Sequence, residues 1–260
     1  MSSTSTPLPS QEAPEWRHEP HHITLRETVD YTIFVGHLPP HDRCSLHAHY
    51  NPTVCLSLIS IIDVTDHVVS DPIRRKQTPS PISIAKGTLL SYNSTPSNPH
   101  VHEYTSDAHP SLFLGIESPL GRAIGPPSPL MSIDVLPHVS VRHHGEDLPF
   151  ASAAVATLPP GCTVRIHVNT LDGEKVLCRL MTTLMGPALD LLDVRSSPDH
   201  VIEHLRYDKY DPPKLAFAIT NFRGKGFDSN ESTTITNNTA HSCEVFIIDF
   251  FTKENSTTSQ

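Results

Sequence analysis

One segment of this chain is written twice. Leu38-Pro39-Pro40 runs into Ser45-Leu46-His47-Ala48-His49, and 120 positions later Leu158-Pro159-Pro160 runs into Arg165-Ile166-His167-Val168-Asn169. At that offset His47 meets His167 and His49 meets Asn169. The far ends match as well. Phe113-Leu114-Gly115-Ile116-Glu117 resembles Phe246-Ile247-Ile248-Asp249-Phe250 at an offset of 133, which sets His100 opposite Thr233, His102 opposite Ile235 and Tyr104 opposite Asn237. Two matches in the same order are the mark of a duplicated structural unit. The His-X-His pair is complete in the first copy and partial in the second.

The length of 260 residues suits two domains of ~100–150 residues each. With 25 prolines against 11 glycines, the chain reads as loop-rich and all-β. Tyr31–Val35, Val54–Val64, Ile82–Ile84 and Leu112–Ile116 are apolar or β-branched runs, and Pro, Asn, Ser and Asp punctuate them. Short strands with frequent turns indicate a sandwich or barrel. Gly186-Pro187 breaks the apolar stretch Val176–Leu192, so it is not one long helix; Pro198–Leu205 reads as a short helical turn. The expected plan is a disordered tail over 1–22, a first barrel over 23–119 and a linker over 120–150. A degenerate second barrel over 151–251 and a tail over 252–260 complete it. The linker contains one extended crossing segment, Ile133–Val141.

Several function classes are disfavoured. The net charge is -9 and the only basic cluster is Arg74-Arg75-Lys76, so no nucleic acid partner is expected. Met1–Pro20 lacks an apolar signal core, and no run of about 18 apolar residues occurs, so no membrane partner is expected. Five cysteines without a C-x-x-C pair suggest a reduced, cytoplasmic protein without disulfides. There is no nucleophile elbow, phosphate loop, His-Glu-X-X-His or dinucleotide fingerprint.

The histidines carry the remaining signal. On a strand, Ser45, His47 and His49 share one face, and Leu46 and Ala48 share the other. Two imidazoles so placed can chelate one ion if a neighbouring strand supplies a third donor. Asn98-Pro99-His100-Val101-His102-Glu103 offers it, with His100 and His102 on one face and Glu103 turned away. His102 has three open readings: a packed strand residue, a fourth ligand, or a catalytic acid/base near neutral pH. Tyr92 and Arg43 are candidates to line a cavity. His21-His22, His143-His144, His200 and His204 fall outside the repeat and read as loop or surface residues.

These motifs resemble the cupin superfamily. Gly36 and His47-Ala48-His49 resemble its first motif, although ten residues separate glycine from histidine. Gly87, Pro96 and His100 resemble the second, with Tyr104 in place of the usual Asn. The resemblance implies a bicupin: two jelly-roll barrels in one chain, the second degenerate. The family glutamate would fall near Thr53 or Val54, neither of which replaces a carboxylate. The implied metal ligands are therefore His47, His49 and His100, with Fe(II) the first choice and Zn or Ni next. Some cupin dioxygenases use three-histidine iron, so the resemblance implies dioxygenase-like oxidoreductase chemistry on a small organic substrate. It places the protein as an accessory enzyme of secondary-metabolite biosynthesis and allows a homodimer. The alternatives are a metal-free isomerase, cyclase or decarboxylase using histidine as acid/base, and a non-catalytic ligand-binding protein. His167, Asn169 and Thr233 offer one imidazole and two weak donors, so no metal is expected in the second barrel.

Overall fold

Branched and aromatic residues fit the pleated, half-buried surface of a sheet, and the runs that carry them form strands. In the computed structural model the first half contains β1 (His22–Glu27), β2 (Thr32–Leu38), β3 (Arg43–His49), β4 (Thr53–Ser57), β5 (Ile61–Asp66), β6 (Ser80–Ile84), β7 (Leu89–Tyr92), β8 (His100–Ser106) and β9 (Ser111–Glu117). The second half contains β10 (Ser132–Asp134), β11 (Ser140–His144), β12 (Ala151–Leu158), β13 (Thr163–His167), β14 (Glu174–Met185), β15 (Asp193–Ser196), β16 (Ile202–Tyr207), β17 (Leu215–Asn221), β18 (Ser232–Thr236) and β19 (Cys243–Lys253). The residues described are 14–66, 80–97, 99–106, 108–119, 131–134, 136–144, 148, 151–167, 174–197, 201–209, 215–222 and 232–253; for a few strand residues, His102 among them, only the backbone is described.

The two halves repeat one topology. The first has a five-stranded sheet ordered β1-β2-β9-β4-β7 and a four-stranded sheet ordered β3-β8-β5-β6. The second has β11-β12-β19-β14-β17-β16 and β10-β13-β18-β15. Ladder by ladder, β2-β9-β4-β7 corresponds to β12-β19-β14-β17, and β3-β8 to β13-β18. The Leu-Pro-Pro segments turn the chain from β2 into β3 and from β12 into β13. One residue further on, His41 (φ 61°) and Gly161 (φ 75°) hold the same left-handed conformation at equivalent places. That conformation is tolerated by histidine and natural for glycine.

Alternation along the strands then sorts the side chains into three regions. Val54, Leu56, Leu112, Leu114 and Ile116 face away from the first barrel and pack with Leu180, Phe217, Phe246, Ile248 and Phe250 of the second. The largest core is therefore the seam between the two barrels. Across it, His37 Nδ1 lies 2.7 Å from Tyr207 Oη, and Arg26 pairs with Glu203 at 3.2 Å. The interior of the second barrel is filled with apolar side chains, including Val164, Ile166, Met181, Ile235 and Ile247. Among the described residues, the interior of the first holds a smaller cluster around Trp16, Phe34 and Cys55.

Four sequence expectations are corrected. Residues 14–22, assigned to a disordered tail, belong to the first barrel. Ala48 N donates to Pro14 O at 2.9 Å, a 3-10 turn covers Trp16–His18, and Trp16 is fully buried. The supposed linker supplies two strands of the second barrel, β10 beside β13 and β11 beside β12, because Ser132–Asp134 and Ser140–His144 complete its sheets. Of Pro198–Leu205, expected as a short helical turn, Ile202–Leu205 lie in an edge strand paired with β17, and 198–200 fall outside the described residues. Finally, the strand register sets Thr32 opposite Glu117 and Ser152 opposite Asp249, so the closing strands correspond at an offset of 132, not 133. Short apolar runs fit either offset; the ladder decides. None of the five cysteines forms a disulfide.

Candidate metal centre

A β-bulge in β3 aims the His-X-His pair. Cys44 pairs with Tyr104 and His47 with His102, so Ser45 and Leu46 face the single residue Glu103. An extra residue flips the side-chain phase beyond it. Cys44, His47 and His49 are consequently buried, while Ser45 and Leu46 are exposed. Ser45 does not share the histidines' face, contrary to simple alternation. In β13 the register is unbroken. Val164 and Ile166 point inward there, and His167 lies at the surface with Nε2 2.8 Å from Asp134 Oδ2. His47 and His167 hold the same place in the repeat but opposite faces of the strand.

The ring nitrogens of His47 and His49 meet those of a third histidine, His22, within 4.8 Å of one another. His22 comes from β1, where it pairs with Gly36. Each ring is anchored through Nδ1: that of His47 lies 2.7 Å from Ser45 O, that of His49 3.0 Å from Glu117 Oε2, and that of His22 3.5 Å from Glu19 Oε2. The Ser45 carbonyl can only accept, so Nδ1 of His47 carries the hydrogen and Nε2 the lone pair; the Glu19 carboxylate, and Glu117 in its ionised form, favour the same tautomer in His22 and His49. Outer carboxylates of this kind fix the tautomer and orient histidine ligands. The donor set of three neutral imidazoles fits Fe(II), Zn, Ni or Cu. Sequence reasoning missed His22, which it placed on the surface. The available signal was Glu19 three residues before it, and the glycine opposite it at position 36.

His100 stands beside His49 in the ladder, as expected, but its ring stacks on Tyr92 with centroids 3.8 Å apart. It is not one of the three nitrogens that converge. The backbone of His102 pairs with His47, and its side chain lies outside the described residues. Arg43 is exposed and engages Glu103, whereas Tyr92 does line the cavity. That cavity, with about 480 Å³ of empty space including its mouth, opens onto His22 and His49. Trp16 stacks on His49 from the other side, with centroids 5.7 Å apart.

Burial governs the charges here. Burial pushes the Glu19 carboxyl up, but hydrogen bonds from His22, His21 and the Ser45 amide outweigh it and leave it well below the usual carboxylate range. Burial pushes Glu117 up to about 7 despite the hydrogen bond from Asn51. Burial pushes His47 and His100 down to about 4 and His49 well below its ordinary value; His22, His37 and His144 are lowered in the same way. These rings stay neutral in the fold and take up protons once unfolded, so below pH 6.5 the unfolded chain binds more protons. Stability of the metal-free protein is then expected to fall as the pH drops from 6.5 towards 4. At ~1.4 kcal/mol per pH unit for one group, His47 and His100 contribute up to about 3 kcal/mol each. Glu117 opposes this between its unfolded value of 4.5 and about 7, but it is one group against several. Urea midpoints measured at pH 7.5, 6 and 5 on chelator-treated protein check the sign.

The second barrel fills the corresponding space differently. Glu117 corresponds to Asp249, and Thr53, opposite Glu117, corresponds to Arg179, opposite Asp249. Arg179 is fully buried; its Nε and Nη2 donate to Asp249 at 2.6 and 2.7 Å. Its Nη1 and Nη2 also donate to Ile166 O and His167 O, at 3.0 and 3.2 Å. A tethered guanidinium therefore sits against the strand that carries the histidine pair in the first copy. Thr233 is buried and contributes a hydroxyl only, and Asn169 lies outside the described residues. Among the described residues, both groups with three potential metal ligands, His22-His47-His49 and Glu19-His21-Cys44, are in the first barrel. The second of these is tied up internally, because both nitrogens of His21 face carboxylates, Glu19 at 3.0 Å and Asp42 at 3.1 Å.

No protein-family model and no curated protein matches the chain. Solved structures do. Salicylate 1,2-dioxygenase from Pseudaminobacter salicylatoxidans aligns with 88% of this chain and 76% of its own, at 12% identity and a TM-score of 0.50. The fold is the cupin fold, present twice. AerE from Microcystis aeruginosa (10% identity, 89% of this chain and 98% of its own, TM-score 0.49) also aligns. So does a cupin 2 conserved barrel domain protein from Leptotrichia buccalis (8% identity, 88% of each chain, TM-score 0.42). Among the described residues, no helix is long and apolar enough to cross a membrane.

In the first barrel, one glycine makes room for the site. Gly115 lies opposite Phe34 in the ladder, and a Cβ there would come within 2.2–2.6 Å of three carbons of the Phe34 ring. Phe34 in turn packs on Trp16, His22 and His49, with centroids 4.4, 5.3 and 5.8 Å apart. Gly115→Ala is expected to cost ~1–3 kcal/mol as an overpacking change and to weaken metal binding by moving the phenyl ring into the histidines. Urea unfolding and metal titration of the variant measure both effects.

Proposed function

We propose that the first barrel is a metal-dependent, dioxygenase-like enzyme site for a small organic molecule, with His22, His47 and His49 as the protein ligands. The observation that carries this is the convergence of three imidazoles, each with an oxygen at Nδ1, two of which, His22 and His49, line a cavity. Fe(II) is the first choice of ion; when bound it supplies a Lewis-acidic centre and, with oxygen, oxidising power. The protein's own part is to orient the rings through Glu19, Glu117 and Ser45 O, to shield one side with Trp16, and to hold the substrate against Phe34, Leu90 and Phe113. The similarity to salicylate 1,2-dioxygenase supports the fold of such an enzyme. His100, paired with His49 in the ladder, is a pocket residue in this reading, and His102 is the candidate acid/base. A role in secondary-metabolite biosynthesis rests on the family resemblance.

The test uses protein purified without a histidine tag, treated with chelator and then given Fe(II), Zn or Ni. Oxygen consumption is followed with a panel of hydroxylated aromatic compounds. Fe(II) is expected to restore oxygen uptake with at least one compound, and Zn is not. Turnover that survives chelation would replace this reading with metal-free acid/base chemistry.

A further inference from the structure

We propose that Glu19 is the positioning residue of the metal centre, setting His47 through the β3 bulge as well as His22 directly. The inference rests on the metal-site reading and deepens it. Glu19 is buried, and its two oxygens reach two parts of the chain. Oε2 accepts the His21 amide at 2.6 Å and lies 3.5 Å from His22 Nδ1. Oε1 accepts the Ser45 amide at 3.1 Å and lies 3.0 Å from His21 Nδ1. Ser45 is one of the two bulge residues that face Glu103. A bulge takes backbone groups out of the ladder, and both of those on Ser45 serve the site. Its N–H donates to Glu19, and its C=O accepts from Nδ1 of His47. One chain of hydrogen bonds thus runs from the His22 ring through Glu19 and Ser45 to the His47 ring.

In the second barrel these parts change together. Gly36 corresponds to Ala156 at the offset of 120. Gly36 pairs with His22 and Ala156 with Val141, so Val141 stands where His22 stands in the first barrel. His138 occupies the position of Glu19, three residues before it. There β13 runs without a bulge, and His167 turns outward to Asp134. The ligand, the carboxylate and the bulge occur together in one copy and are replaced together in the other. Hydrogen bonds to an ionised carboxylate are roughly twice as strong as neutral ones, which suits Glu19 to hold an irregular backbone and a ring at once.

The experiment is a double-mutant cycle read by Cu(II) affinity, since copper binds a given nitrogen site most tightly among the divalent first-row ions. A carboxylate that orients His22 alone has no effect once that ring is gone. Glu19→Ala introduced into His22→Ala is instead expected to lower the remaining affinity at least about tenfold, the low end of what outer partners commonly contribute. A change of about twofold or less, the scatter of independent sites, would overturn the proposal. The double variant His22→Ala with His47→Ala gives the background from other histidines. Arg17→Ala removes the neighbouring contacts to Glu15, Glu27 and Thr32 and controls for loosening of the segment. It is expected to leave affinity within about twofold, as exposed pairs contribute little; a loss as large as for Glu19→Ala would also overturn the proposal. The second readout needs no metal. Amide hydrogen exchange at Ser45 is expected to accelerate at least about tenfold in metal-free Glu19→Ala, with Arg165 at the equivalent place in β13 unchanged. Protein that takes up no ion defeats the metal reading, whereas unaltered exchange at Ser45 defeats the role of Glu19 in the bulge. Glu19→Gln takes the place of the alanine variant if that one does not fold. In either orientation its carboxamide turns an NH2 towards N–H donors, so both readouts are expected to move the same way by at least about threefold.

Discussion

Arg179→Ala is expected to destabilise the protein by about 3–5 kcal/mol, roughly 10 °C or more in Tm for a cooperative unit of this size. The substitution leaves the Asp249 carboxylate buried and unpaired, and it removes the donors to Ile166 O and His167 O. Arg179 is fully buried and Asp249 nearly so, which keeps the orphaned carboxylate away from bulk solvent. The double variant Arg179→Met with Asp249→Leu removes both charges and is expected to lose less than the single one, because an apolar pair leaves no orphaned charge. Urea unfolding followed by circular dichroism separates the two. A loss below 1 kcal/mol for Arg179→Ala would show that this pair is not the organiser of the second barrel. Metal affinity of the folded double variant should equal that of the unmodified protein, since the pair lies on the other side of the seam.

The second large effect is on metal binding. His22→Ala, His47→Ala and His49→Ala are each expected to lower affinity by at least ~100-fold, since changes in the outer partners alone commonly cost 10–100-fold. His167→Ala is expected to change it little, because that ring lies at the surface with Asp134. The decisive contrast is His22 against His100. The sequence places His100 in the ligand set, whereas the converging nitrogens belong to His22, and the His100 ring stacks on Tyr92. His100→Ala should therefore retain metal and alter only substrate binding. Competition titrations with a chromophoric chelator give all five affinities. A loss for His100→Ala as large as for His47→Ala, with His22→Ala unaffected, would restore the sequence-derived set.

The duplication was legible because each Leu-Pro-Pro turn is followed, seven residues after its last proline, by a strand histidine, and the sheet topology repeats accordingly. What lay between was harder to read. A β-bulge leaves no residue signature when no glycine marks it, so the opposite facing of His47 and His167 was hidden behind identical letters. His22 was invisible because its role depends on pairing with Gly36 and on a chain segment, 14–22, whose composition reads as tail. Trp16 in that segment was the overlooked clue: a lone tryptophan in a polar stretch has a large apolar surface to bury. The Arg179–Asp249 pair follows from the correct offset, which places Asp249 where Glu117 stands. A slip of one residue along apolar strands concealed it.

The central claim is that one ion is held by histidines of the first barrel only. X-ray absorption of the metal-loaded, untagged protein tests it most directly, with His22→Ala and His167→Ala measured alongside. One ion per chain is predicted, with imidazole nitrogen scattering from three rings at ~2.0–2.2 Å, lost in His22→Ala and unchanged in His167→Ala. An ion that persists unaltered in His22→Ala, or that disappears in His167→Ala, would contradict the account.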